Sequence, residues 1–124
     1  MSKPETIKID EIEYVRKDSL PSYEPAQKKN GLKYVIVRTY SAGVFAGYLE
    51  SRNGQEVVMV DSRRIWYWDG AASLSQMAVS GVTKPENCKF AMPVSRVELL
   101  QAIEILDCTE TARKNIEGVA IWKN

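Results

Sequence analysis

Two arginines, Arg63 and Arg64, stand directly before the aromatic run Trp66, Tyr67 and Trp68 in "SRRIWYWDGAAS", which then passes into small residues. A second segment, "RTYSAGV", sets Arg38 and Tyr40 before Ser41, Ala42 and Gly43. A guanidinium grips phosphate or carboxylate oxygens through paired N–H donors, and its flat face stacks on rings. Aromatic faces stack on bases, and small residues let backbone N–H groups approach an anion. Both segments therefore carry the ingredients of a site for something flat and anionic.

Catalytic sets are sparse by comparison. The chain has no histidine, so Ser/His/Asp and Cys/His nucleophile systems are excluded. Neither a phosphate-binding P-loop nor a dinucleotide-binding glycine fingerprint is present. Carboxylates are common, and a pair such as Glu98 and Glu104 is the candidate for a hydrolase reading. Scattered acids of this kind ordinarily belong to solvated surface. The two cysteines, Cys88 and Cys108, are too far apart and too few for a disulfide scaffold or a zinc site. No cofactor and no metal is expected.

The elements that must position these residues follow from pattern. At 124 residues, 44% hydrophobic and 27% charged, with net charge +1, the chain has the composition of one globular domain. The near-neutral balance argues against DNA as a partner, and no run of 18 apolar residues suggests a membrane span. Residues 1–31 read as a polar hairpin and arm, with Ile7, Ile9, Ile12 and Tyr14 alternating. Residues 32–124 read as the core domain.

Within that core, Tyr34 to Tyr40 and Val44 to Glu50 read as strands, and Asn53-Gly54 as a hairpin turn. Val57 to Val60 and Ile65 to Trp68 supply further strand. Leu74, Met77 and Ala78 share a helical face that stops at Gly81. "VTKPENCKFAMP" reads as loop, with Phe90 either a plug beneath it or an exposed stacking face. Two short strands are expected around Gln101-Ala102, a second helix capped by Thr109 and stopped by Gly118, and a last strand at "VAIW". The fold class is α+β: mainly antiparallel sheet with one or two short helices in a single domain. In an alternating strand Arg63 and Arg64 point to opposite faces, so one of them at most lines a given pocket. Part of the Ile65–Trp68 run must be packing.

The strings "YVIVRTYSAGVFAGYLESRNGQEVV", "RRIWYWDGAASLSQ" and "KPENCKF", between Leu32 and Trp122, resemble a family of small phage and prophage proteins. That family includes, or closely resembles, the Thoeris anti-defence sponges. The resemblance implies a protein in the cytoplasm of an infected bacterium. Such a protein sequesters, without cleaving, a cyclic ADP-ribose-type messenger made by TIR-domain enzymes. It also implies a homo-oligomer, dimers assembling to a hexamer, and a second site for cyclic oligonucleotides. Carried over by the resemblance, Phe90 would stack on adenine, and Arg113 with Arg38 would contact phosphate or ribose. Arg63 or Arg64 would serve the second site. Sequestration at nanomolar strength needs about −12 kcal/mol, which an enclosed, preorganised pocket supplies. A phage structural or protein-interaction module is the alternative, with the aromatics forming an interface.

Overall fold

A computed structural model describes residues 23–123 of the chain. The expected hairpin around Ile7–Tyr14 lies outside the described residues. Six antiparallel strands, two short helices and a 3₁₀ turn at Pro85–Asn87 make up the domain, which is the α+β class expected. The strands are β1 (Tyr34–Thr39), β2 (Val44–Asn53), β3 (Glu56–Tyr67), β4 (Lys89–Phe90), β5 (Val94–Leu99) and β6 (Ala102–Asp107). The helices are α1 (Leu74–Ser80) and α2 (Glu110–Glu117).

The sheet runs β4-β3-β2-β1-β6, and β5 joins the outer edge of β3 alongside β4. β5 and β6 are separated by only Leu100 and Gln101, yet they flank opposite ends of this order. The sheet must therefore curl until its ends approach. Two hydrogen bonds fix that closure: Tyr40 N–H donates to Gln101 O at 2.9 Å and Ala102 N–H to Gln55 O at 3.0 Å. Curling of this degree needs local breaks in pairing, which β-bulges provide.

β2 and β3 carry two such irregularities, and they cancel. Asn53 lies opposite Glu56 at the turn, pairing then shifts near Leu49/Ser51 and shifts back near Ala46/Tyr48, so that Phe45 lies opposite Arg64. The extra residue on β3 is at Asp61, whose φ of 48° is in the left-handed region, one that Asp tolerates better than most side chains. Across this irregularity Gly47 lies so close to β3 that an added Cβ would sit 2.6 Å from the Ser62 Cα. Only glycine fits there.

Curling gives the sheet two apolar faces. Inside the curl, Val35, Val37, Phe45, Val57, Met59, Leu99 and Ala102 pack together. On the outer face, Tyr34, Ile36, Ala46, Tyr48 and Ile65 pack under α1 and α2 through Met77, Ala78, Ala112 and Ile116. Alternation along β1 explains the division, because odd and even positions point to opposite sides and both sides are covered. Ser73 caps α1 and Thr109 caps α2 through their side-chain oxygens. Gly81 ends α1 with φ 76°, and Gly118 ends α2.

Two expectations about elements are corrected. Val57–Val60 and residues 65–67 belong to one long strand, β3, and Trp68 lies beyond its end. "VAIW" contributes a single parallel bridge, Phe90 to Ile121, in place of a full strand. Residues 23–31 lie along the start of α2: Glu110 N–H donates to Glu24 O, and Ala26 N–H to Cys108 O.

Candidate functional site

Neighbouring positions Arg63 and Arg64 on β3 enter opposite faces of the sheet, and their surroundings decide their roles. Arg63 is 4% exposed beneath the helices. Its Nε donates to Ala91 O, Nη1 to Ile116 O and Val119 O, and Nη2 to Phe90 O, at 2.8–3.2 Å. Burial lowers its affinity for the proton, and the four carbonyls hold the charged form in place. Arg63 joins the α2 C-terminus and the β4 segment to the sheet. It is a structural clasp.

Arg64 enters the mouth of the curl. Its guanidinium lies over the Phe45 ring, 4.7 Å from the centroid, and 5.2 Å from that of Trp66. Its Nε is buried and has no hydrogen-bond partner among the described residues. Each other described arginine has an acceptor: Arg38 holds Glu104, Arg52 the Gly54 carbonyl, Arg96 holds Glu98, and Arg113 holds Glu110 and Glu117. Ring stacking fixes the head of Arg64 without consuming its N–H donors. Those donors are ready for an oxyanion.

Two clefts meet at this side chain. One, of about 520 Å³, is lined by Thr39, Ser41, Ala42, Arg64, the end of β5 including Glu98, whose carboxylate is held by Arg96, and the turn through Gln101. The other, of about 190 Å³, lies between Phe45, Arg64, Trp66 and Met92. Trp66 is 58% exposed, so one indole face remains open to a ligand. The loop after β1 is held by Thr39, whose hydroxyl donates to Gly43 O and accepts from Ala42 N–H. A larger depression of about 660 Å³ beside β6 has no aromatic wall, and its cation, Arg52, is taken by Gly54.

The residues expected to bind ligand thus separate. Arg64 and Trp66 come together, with Phe45 beneath them. Tyr40 stands exposed on the adjoining loop and lines a shallow depression with Gln55, Gln101 and Ile103. Phe90 is corrected: it is fully buried, lies among core residues, and has the Arg63 guanidinium 5.4 Å from its ring centroid. No face of it is left for a base. Of the two readings of that loop, the plug is the one found.

Arg113 is likewise corrected as a ready phosphate ligand. Glu110 binds it through both carboxylate oxygens at 2.6 and 3.0 Å, and Glu117 at 2.6 Å. The Arg113 hydrogen bonds, joined by the Gln27 N–H, hold the Glu110 carboxyl down at about 2. Arg38 pairs with Glu104 at 2.9 Å and is half exposed. Arg63 spends four N–H groups on backbone carbonyls as described and faces away from Arg64. Glu98 and Glu104, the candidate hydrolytic pair, each hold an arginine.

Phe45 was the residue that the sequence reading missed, and the signal for it was present. A two-residue turn at Asn53-Gly54 would put Phe45 opposite Ser62; the turn at Gly54-Gln55, with Asn53 opposite Glu56, puts it opposite Arg64, and directly opposed residues share a face. The two bulges hide this by their presence and preserve it by cancelling.

Residues 32–116 match a family model described as a domain of unknown function, DUF6948. The chain belongs to that family. The DUF6948 match spans β1 through most of α2, and so includes every residue of the Arg64 site. No curated protein and no solved structure matches the chain. Among the described residues, no helix is long and apolar enough to cross a membrane.

Proposed function

We propose that this protein binds and holds a nucleotide-class ligand, a cyclic ADP-ribose-type messenger in the reading that the phage-family resemblance suggests, at the mouth of the curled sheet around Arg64. The observation that carries the proposal is the guanidinium fixed between Phe45 and Trp66 with a buried Nε that has no acceptor among the described residues. An unmade hydrogen bond of a buried donor costs about 1–3 kcal/mol, and a phosphate oxygen against the Nε–Nη edge would remove that cost. The open face of Trp66 would stack on a base, worth about 1–3 kcal/mol. The backbone around Ser41 and Ala42 forms the far wall of the larger cleft. Sequestration without cleavage asks nothing more of these groups than binding.

The test is a calorimetric titration with glycocyclic ADP-ribose, followed by heat release of the ligand and its analysis. Binding with intact ligand recovered supports sequestration. Altered ligand would make the protein an enzyme, and absence of binding to this messenger and to cyclic di- and trinucleotides would end the nucleotide reading.

One observation favours a second reading. Trp66, Met92 and Val94 form an exposed apolar rim beside Arg64. A protein-interaction module would use that rim as its contact surface, and Trp66→Ala would then weaken assembly with no nucleotide effect.

A further inference from the structure

A second cleft, of about 260 Å³, opens on the opposite face of β3 and is lined by Tyr34, Asp61, Arg63, Pro93 and Glu117. It is independent of the Arg64 site. Tyr34 is 2% exposed, and its hydroxyl has no hydrogen-bond partner among the described residues although it borders this cleft. Burial raises its pKa well above the usual phenol range, so it stays a donor at any physiological pH. Arg63 uses four of its five N–H groups on carbonyls, which leaves one on Nη2. Asp61 gives Oδ2 to Lys29 at 2.6 Å and keeps Oδ1 without a partner among the described residues. Glu117 accepts from the Tyr48 hydroxyl at 2.9 Å and from Arg113.

The charges here restrict the ligand. Asp61 and Glu117 already hold Lys29 and Arg113, and Arg63 stands in the wall, so a cation gains little. Two carboxylates in the same wall disfavour an anion. A neutral group that both donates and accepts matches the unused Asp61 Oδ1, Arg63 N–H and Tyr34 O–H. Adjacent hydroxyls do both. The volume lies below the roughly 300–1,000 Å³ of pockets for drug-sized ligands, which limits the occupant to about one sugar ring.

We infer that the Tyr34–Asp61–Arg63–Glu117 cleft is a binding site for a vicinal diol of pentose size. Asp61 would accept from one hydroxyl while Tyr34 and Arg63 donate to its neighbour, with Pro93 against the ring. The left-handed backbone at Asp61 is what aims this carboxylate out of the strand's regular alternation.

The experiment is an NMR titration of the full chain with methyl β-D-ribofuranoside and, in parallel, its 2-deoxy analogue and acetamide. The expected result is shifts at Tyr34, Asp61 and Glu117 with the diol, and about tenfold weaker binding of the 2-deoxy sugar, as for loss of one hydrogen bond to a charged group. Tyr34→Phe keeps the ring and Asp61→Gly suits the backbone angle, so both fold, and both weaken the diol. Shifts confined to Trp66 and its neighbours, equal binding of diol and 2-deoxy sugar, preference for acetamide, no shifts up to the solubility of the sugar, or unchanged affinity in Asp61→Gly would each overturn the inference.

Discussion

Arg63 and Arg64 are the same residue type, one position apart on the same strand, and they differ in nearly everything else. Arg63 is buried with four carbonyl acceptors; Arg64 lies between two rings with its Nε unmatched among the described residues. Strand alternation sends one under the helices and the other into the mouth of the curl. The difference teaches that a guanidinium reports its role through its acceptors. One saturated by backbone carbonyls holds the fold, and one held by ring faces alone keeps the donors on which the proposed ligand site depends.

The largest effect that would sharpen the comparison is on stability. Arg63→Ala removes a donor from the carbonyls of Ala91, Phe90, Ile116 and Val119, of which Phe90 and Ile116 keep a backbone donor, and should cost about 3–5 kcal/mol, in the range for broken buried charged networks. Phe90→Ala, beneath the same guanidinium, should cost about 3–5 kcal/mol as a fully buried aromatic. Urea denaturation midpoints measure both. If either variant kept wild-type stability, the clasp on this face would be misassigned.

A smaller effect is expected at the helix surface. Arg113→Ala removes one partner each from Glu110 and Glu117, which keep the Gln27 N–H and the Tyr48 hydroxyl, and should lower the thermal midpoint by less than Arg63→Ala does. Its pH dependence has a fixed sign. The folded-state pKa of Glu110, held at about 2 by Arg113 and the Gln27 N–H, lies below the ordinary 4.5. The stability this contributes is present above pH 4.5 and is lost as pH falls toward about 2. The gap between wild type and Arg113→Ala should therefore close across that window, as thermal melts at stepped pH would show. A gap that persisted at the acid end would break the assignment.

The smallest stability effect belongs to Arg64. It has no described acceptor to strand, so Arg64→Ala should change unfolding free energy by about 1 kcal/mol or less, the scale of its ring contacts. A loss as large as that of Arg63→Ala would erase the distinction between the two faces.

Much of this was legible in the sequence. The strands around "KYVIVRT" and "VFAGYLE", the Thr109 cap and the Gly81 stop carry local chemistry that tertiary structure did not overrule, while the hairpin turn falls one residue later than Asn53-Gly54, at Gly54-Gln55. The opposite facing of Arg63 and Arg64 followed from period alone. The β-propensity of "VAIW" beside the short strand β4 was overruled, and Ile121 alone bridges to Phe90. Phe90, Arg113 and Arg38 illustrate the other limit. The resemblance offered Phe90 and Arg113 as ligand groups, and residue type offered Arg38. The Glu110 and Glu117 partners of Arg113 stand at helical spacing and were legible, but Arg38 meets Glu104 across the sheet and Phe90 lies against Arg63 of β3, and no spacing along the chain reveals such partners. The closure that brings the β5–β6 turn to Arg64 rests on long-range pairing and was equally invisible.

The most direct measurement is a calorimetric titration of glycocyclic ADP-ribose into the wild type, Arg64→Ala and Arg113→Ala, each checked as folded. The account predicts binding by the wild type and by Arg113→Ala, with Arg64→Ala weaker by at least about tenfold, or 1.4 kcal/mol. Undiminished binding in Arg64→Ala, or loss in Arg113→Ala alone, would contradict it.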